Sequence, residues 1–75
     1  MLKILKDKAP TLKEAQDYVE GYIEVLWLDN GDCLIVNEEG RRLNLPVNNE
    51  ATLLMRGRII VGNALLLTGN ALAKF

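Results

Sequence analysis

The sequence predicts a small single α+β domain covering residues 1–75: a mainly antiparallel sheet of about four to five strands, one helix packed on it and a short helical turn. Three observations carry that reading. A Thr-x-x-Glu box precedes an apolar-periodic stretch near the start, two runs of β-formers flank an Asn-Gly pair, and the length is too short for two packed cores.

Leu2, Ile4 and Leu5 among Lys3 and Lys6 read as a first strand, closed by Asp7 to Pro10. Thr11 and Glu14 form the capping box, in which each side chain satisfies a backbone donor at a helix start. Leu12, Ala15 and Val19 then share one face of a helix running to about Glu20, with Gly21 expected to end it in the left-handed conformation. Tyr22 to Leu28 is a strand, Asn30-Gly31 suits a primed two-residue hairpin turn, and Cys33 to Val36 is the returning strand.

A second tight turn is expected at Asn37 to Gly40, with Gly40 at positive φ. A strand from Arg41 to Leu45 follows, in which Leu43, Leu45 and Val47 alternate inward until Pro46 stops it. Asn48 or Asn49 caps a helical turn through Ala51 to Met55, ended by Gly57. Arg58 to Thr68 reads as a long last strand, interrupted at Gly62-Asn63 by a bulge or a close backbone approach, and Gly69 to Phe75 as a loose tail.

Composition narrows the function. Nine basic against ten acidic side chains give a net charge of -1, so nonspecific DNA binding is not expected. Acids dominate from Asp7 to Glu39, whereas Arg41, Arg42, Arg56 and Arg58 face only Glu50 beyond it, which leaves a modestly basic half. With one cysteine and no histidine, neither an internal disulfide nor a Cys/His zinc site can form; Cys33 is expected to be a buried, inert thiol in a reducing, cytoplasmic setting. The longest apolar run is far below the roughly 18 residues of a spanning helix, and MLKILKDKAP lacks the apolar core and cleavage site of a signal peptide. Neither membrane insertion nor export is expected.

Catalysis is not expected either. There is no histidine to act as a base near neutral pH and no serine to act as a nucleophile. Glu38 and Glu39 are adjacent on a turn, where neighbouring side chains diverge, and the glycines form no phosphate loop. Catalytic, metal and cofactor sites are therefore predicted to be absent. Trp27 lies in so apolar a strand that a core position is expected for it. The binding candidates are the guanidinium forks of Arg41, Arg42, Arg56 and Arg58, which match phosphate or carboxylate, with Asn37, Glu38, Asn48 and Asn49 beside them on one polar rim.

The strings LKEAQDYVEGYIEV (Leu12 to Val25), LIVNEEG (Leu34 to Gly40), LPVNNEAT (Leu45 to Thr52) and IIVGNALLL (Ile59 to Leu67), in that order and spacing, resemble the family called domain of unknown function 3846. Its motif falls here on Asn37, Glu38, Gly40, Leu45, Pro46, Asn48, Ala51 and Thr52. Backbone geometry accounts for Gly40 and Pro46 and packing for Leu45 and Ala51, which leaves Asn37, Glu38 and Asn48 for a further role or for turn capping. The resemblance implies a gene of a bacteriophage or other mobile element, with no activity attached. The expectation is a non-enzymatic accessory protein that binds and inhibits a host or defence protein, as anti-CRISPR-type inhibitors do. Its alternative is a binder that sequesters a nucleotide signal in an Arg/Asn-lined pocket at an oligomer interface. Self-association as a dimer is expected from the apolar last strand of so small a domain.

Overall fold

The computed structural model describes Met1–Phe75. In chain order the elements are β1 (Leu2–Leu5), α1 (Leu12–Val19), β2 (Ile23–Trp27), β3 (Cys33–Asn37), α2 (Asn49–Leu54), β4 (Ala64–Leu67) and α3 (Gly69–Ala73). The four strands form one sheet in the order β1-β4-β3-β2. β3 pairs antiparallel with both β2 and β4, and β1 joins β4 in parallel. The predicted α+β class and mainly antiparallel sheet are both present. No helix is long and apolar enough to cross a membrane.

Strand alternation sends two sets of side chains to opposite faces. On one face Cys33, Ile35, Leu65 and Leu67 pack with Ala15 and Val19 of α1. On the other, Leu34, Val36, Leu26 and Ala64 pack with Ala51 of α2 and with Ile60. Every residue of β3 is therefore buried, as a strand covered on both faces requires. The cysteine reading holds: Cys33 is free and buried, and burial, then the charge of Asp32, pushes its thiol pKa up.

The capping box forms as written. The Thr11 hydroxyl accepts from the Glu14 amide at 3.1 Å, and the Glu14 carboxylate accepts from the Thr11 amide at 2.9 Å. Ala15 and Val19 face the core, but Leu12 is exposed. Glu20, at φ 65°, is the left-handed residue that ends the helix, not Gly21. Gly21 is small for another reason: a Cβ there would stand 2.7 Å from Nδ2 of Asn37.

The β2–β3 connection is a hairpin, one residue longer than a primed turn. Leu28 N–H donates to the Asp32 carbonyl at 2.9 Å, Gly31 N–H to the Leu28 carbonyl at 3.0 Å, and Gly31 takes φ 93°. That is the three-residue loop in which a glycine follows a type I turn.

Four expectations for residues 40–68 fail. Arg41 to Leu45 is not a strand: the chain coils through turns from Glu38 to Asn44, with Leu43 N–H bonded to the Glu39 carbonyl and Leu45 N–H to that of Gly40. Gly40 does not adopt positive φ; a Cβ on it would meet Val61 Cγ2 at 2.7 Å, so its smallness lets the coil close on residues 58–61. Leu43 and Val47 are exposed, because outside a sheet their alternation has no face to fill. The last strand is confined to Ala64–Leu67, since Gly62 at φ 80° turns the chain and residues 58–61 lie beside Pro46 to Asn48 instead. There Asn48 N–H donates to the Ile60 carbonyl, Gly62 N–H to that of Pro46, and Val61 bridges Val47.

The tail is not loose. Gly69–Ala73 is helical, and Ala71 N–H is tied to the Lys6 carbonyl at 3.1 Å. Trp27, finally, is 64% exposed, at the last position of an edge strand.

Candidate binding surface

The candidate polar residues divide into internal clamps and surface groups. Asn37 is 5% exposed and Asn48 only 1%, and the side-chain nitrogen and oxygen of each are hydrogen-bonded. Nδ2 of Asn37 donates to the carbonyls of Val19 and Glu20, at 3.0 and 3.3 Å, while its Oδ1 accepts from the Glu39 amide at 2.7 Å. It ties the end of α1 to the coil after β3. Asn48 caps α2 through the Ala51 amide at 3.1 Å and donates to the Gly62 carbonyl at 2.9 Å. A buried amide with its hydrogen-bonding groups committed inside the protein is an architectural piece. The turn-capping account of these two asparagines is the one their geometry fits.

The surface groups do not form one rim. Arg41 and Arg58 meet in a cleft of about 100 Å³, with Glu38 on its wall, where the coil after β3 passes residues 58–61. Arg41 donates to the Ile59 carbonyl at 3.4 Å, and Arg58 pairs with Glu24 of β2 at 3.4 Å. Two guanidinium groups thus face two carboxylates, Glu24 and Glu38, so the cleft has little net positive potential. Arg42 bonds Glu39 at 2.8 Å, a pair three residues apart within the coil. Asn49 is exposed as the first residue of α2.

Arg56 stands elsewhere. It lines a groove of about 150 Å³ with Trp27, Leu28, Asp29, Leu54 and Met55, between the outer end of β2 and the C-terminal end of α2, and makes no ion pair. Leu53, next to Leu54, is 83% exposed. Sequence reasoning missed Leu53 and Leu54 because both lie in the apolar run Ala51 to Met55, which does not show how short its helix is or that Ala51 takes the inward position. A further hollow, bordered by Asp17, Glu20, Glu39, Tyr22 and Leu43, opens at the C-terminal end of α1.

These features describe a small α+β domain whose buried polar groups serve its architecture and which leaves Trp27, Leu53 and Arg56 exposed. The chain belongs to the family described as Domain of unknown function (DUF3846), whose model matches residues 2–73. Neither the curated proteins nor the solved structures give a match to it.

Proposed function

We propose that the chain is a non-enzymatic accessory protein of a phage or other mobile element that acts in the cytoplasm by binding, and so inhibiting, a host or defence protein. The observation that carries the binding half is the Trp27–Arg56 groove. Trp27, 64% exposed at the end of an edge strand, borders a groove that Leu54 and the unpaired Arg56 also line, and Trp and Arg are the residue types enriched in protein-binding hot spots. The groove's cost to a thinly stabilised domain is reasonable only if something covers it. The mobile-element setting rests on the family resemblance, and inhibition is the action such a setting favours.

Capture experiments test this reading. Full-length protein is purified gently from a bacterial host with active defence systems, as wild type and as Trp27→Ala and Arg56→Glu. The expected result is a host polypeptide retained by the wild type and lost in both variants, with melting temperatures unchanged. Equal retention by all three would overturn the groove as the docking surface.

A second reading, sequestration of a nucleotide signal, is favoured by the meeting of Arg41 and Arg58. A cleft of about 100 Å³ is well below the roughly 300–1,000 Å³ of small-molecule sites, so this reading needs a second copy to complete the wall. Native mass spectrometry distinguishes the two: an added mass of nucleotide size, lost in Arg41→Ala or Arg58→Ala, would favour sequestration over protein binding.

A further inference from the structure

The apolar last strand that suggested self-association is an inner strand, so it offers no edge. The sheet's two free edges are β1 and β2, and they differ in how they are protected. β1 carries Lys3 within it and Lys6 and Lys8 just after, the usual guard against edge pairing. β2, Ile23-Glu24-Val25-Leu26-Trp27, has no lysine, proline or bulge, and the carboxylate of its one charged residue, Glu24, is drawn aside to Arg58.

The register shows which backbone groups of β2 are free. Glu38 N–H donates to the Tyr22 carbonyl and Leu28 N–H to the Asp32 carbonyl, so the positions that bond to β3 are Tyr22, Glu24, Leu26 and Leu28. The N–H and C=O groups of Ile23, Val25 and Trp27 consequently point outward, and no side chain of the protein bonds to them. This set is symmetric about Val25.

We infer that two copies of the chain pair antiparallel through β2, about a two-fold axis at Val25, to make one continuous sheet. In that register Val25 meets Val25, and Ile23 meets Trp27 at each end. Every outward donor then faces an outward acceptor. Glu24 lies opposite Leu26 rather than another Glu24, so no like charges oppose each other, and each exposed Trp27 gains a β-branched neighbour of the kind that stabilises cross-strand pairs. Self-complementarity of this sort is what a two-fold interface demands, and it identifies a second copy, rather than an unrelated strand, as the occupant. This pairing would cover Trp27, so it competes with a partner docked at the Trp27–Arg56 groove, and it leaves the Arg41–Arg58 cleft free.

Sedimentation equilibrium of the full chain over a wide dilution series tests it, combined with amide hydrogen exchange. The mass is expected to rise from 8.4 kDa to twice that value with concentration. Val25→Pro removes an outward N–H and no bond to β3, and should hold the mass at the monomer value. Because the proline also alters packing at Val25, Trp27→Lys at an exposed position serves as a second variant with the same expected loss. In the wild type, the Ile23, Val25 and Trp27 amides should exchange slowly when concentrated and fast when dilute, with Glu24 and Leu26 slow in both. A monomer at every concentration, a dimer surviving both substitutions, or a dimer whose three outward amides exchange at the monomer rate would overturn the proposal.

Discussion

The side-chain amide of Asn37 donates to the Val19 carbonyl at 3.0 Å and so fixes the last turn of α1 to the end of β3. Gly21 makes the contact possible, since a Cβ there would fall 2.7 Å from the same nitrogen. Removing the amide strands buried backbone groups, a penalty of about 1–3 kcal/mol. Asn37→Ala should lower stability by that amount in urea titrations. Gly21→Ala should also destabilise, by about 1–3 kcal/mol of overpacking. The two effects should be strongly non-additive, because once Asn37 is alanine nothing remains for the new methyl to strike.

Asn48 and Asn49 are adjacent, yet their substitutions should separate cleanly. Asn48→Ala removes the α2 cap and the bond to Gly62, for a loss of about 1–3 kcal/mol. Asn48→Asp keeps an acceptor for the Ala51 amide but loses the donor to Gly62, and should be destabilised as well. Asn49→Ala, at an exposed position, should stay within about 0.5 kcal/mol of wild type. Chemical denaturation of the three variants measures this ordering.

The Glu14 carboxyl is held below its usual range first by the hydrogen bond from the Thr11 backbone, which outweighs an opposing desolvation effect, with the Thr11 hydroxyl, Lys8 and Lys3 adding to the lowering. A depressed folded-state pKa contributes stability above the unfolded carboxyl's pKa, and that contribution is lost as pH falls through the folded value. Glu14→Gln retains the capping geometry but cannot titrate. Its melting temperature should therefore fall less steeply on acidification than that of the wild type.

Cys33 titrates with the opposite sign. Burial favours the neutral thiol in the folded state, so its contribution is complete below the unfolded thiol's pKa and is lost as pH rises above it toward the folded value. Cys33→Ala should remove part of the alkaline slope of stability, seen by denaturation at increasing pH. Thiol reagents should label wild-type Cys33 only at the rate at which the protein opens.

The elements legible in the sequence were those fixed by neighbours along the chain. The Thr11–Glu14 box and the Asn30-Gly31 hairpin are made by residues within a few positions of one another, and both formed. The coil after Asn37 was misread because Leu43, Leu45 and Val47 mimic a strand's period, whereas the approach of Gly40 to Val61, a contact distant in sequence, decides the path. α3 escaped notice because Thr68 makes no capping bond and the helix is held by Lys6, near the other end of the chain. Among the candidate site residues, the sequence marked Asn37 and Asn48 but not their burial. It placed Trp27 inside because nothing local distinguishes an edge strand from an inner one.

The parallel pairing of β1 with β4 joins Leu2–Leu5 to Ala64–Leu67, segments between which both other strands of the sheet are made. As the chain emerges from a ribosome at about 5–20 residues per second, α1 can begin to form and the β2–β3 hairpin can close almost at once. Leu2–Leu5 must wait, an orphan until Ala64–Leu67 appear. The lysines around it then act in time as well as in space: they keep a sticky early segment from finding the wrong companion before its own arrives. The sheet is completed only once Ala64–Leu67 have been made, and shortening the chain before β4 would release a hairpin and a helix without the strand that joins them to β1.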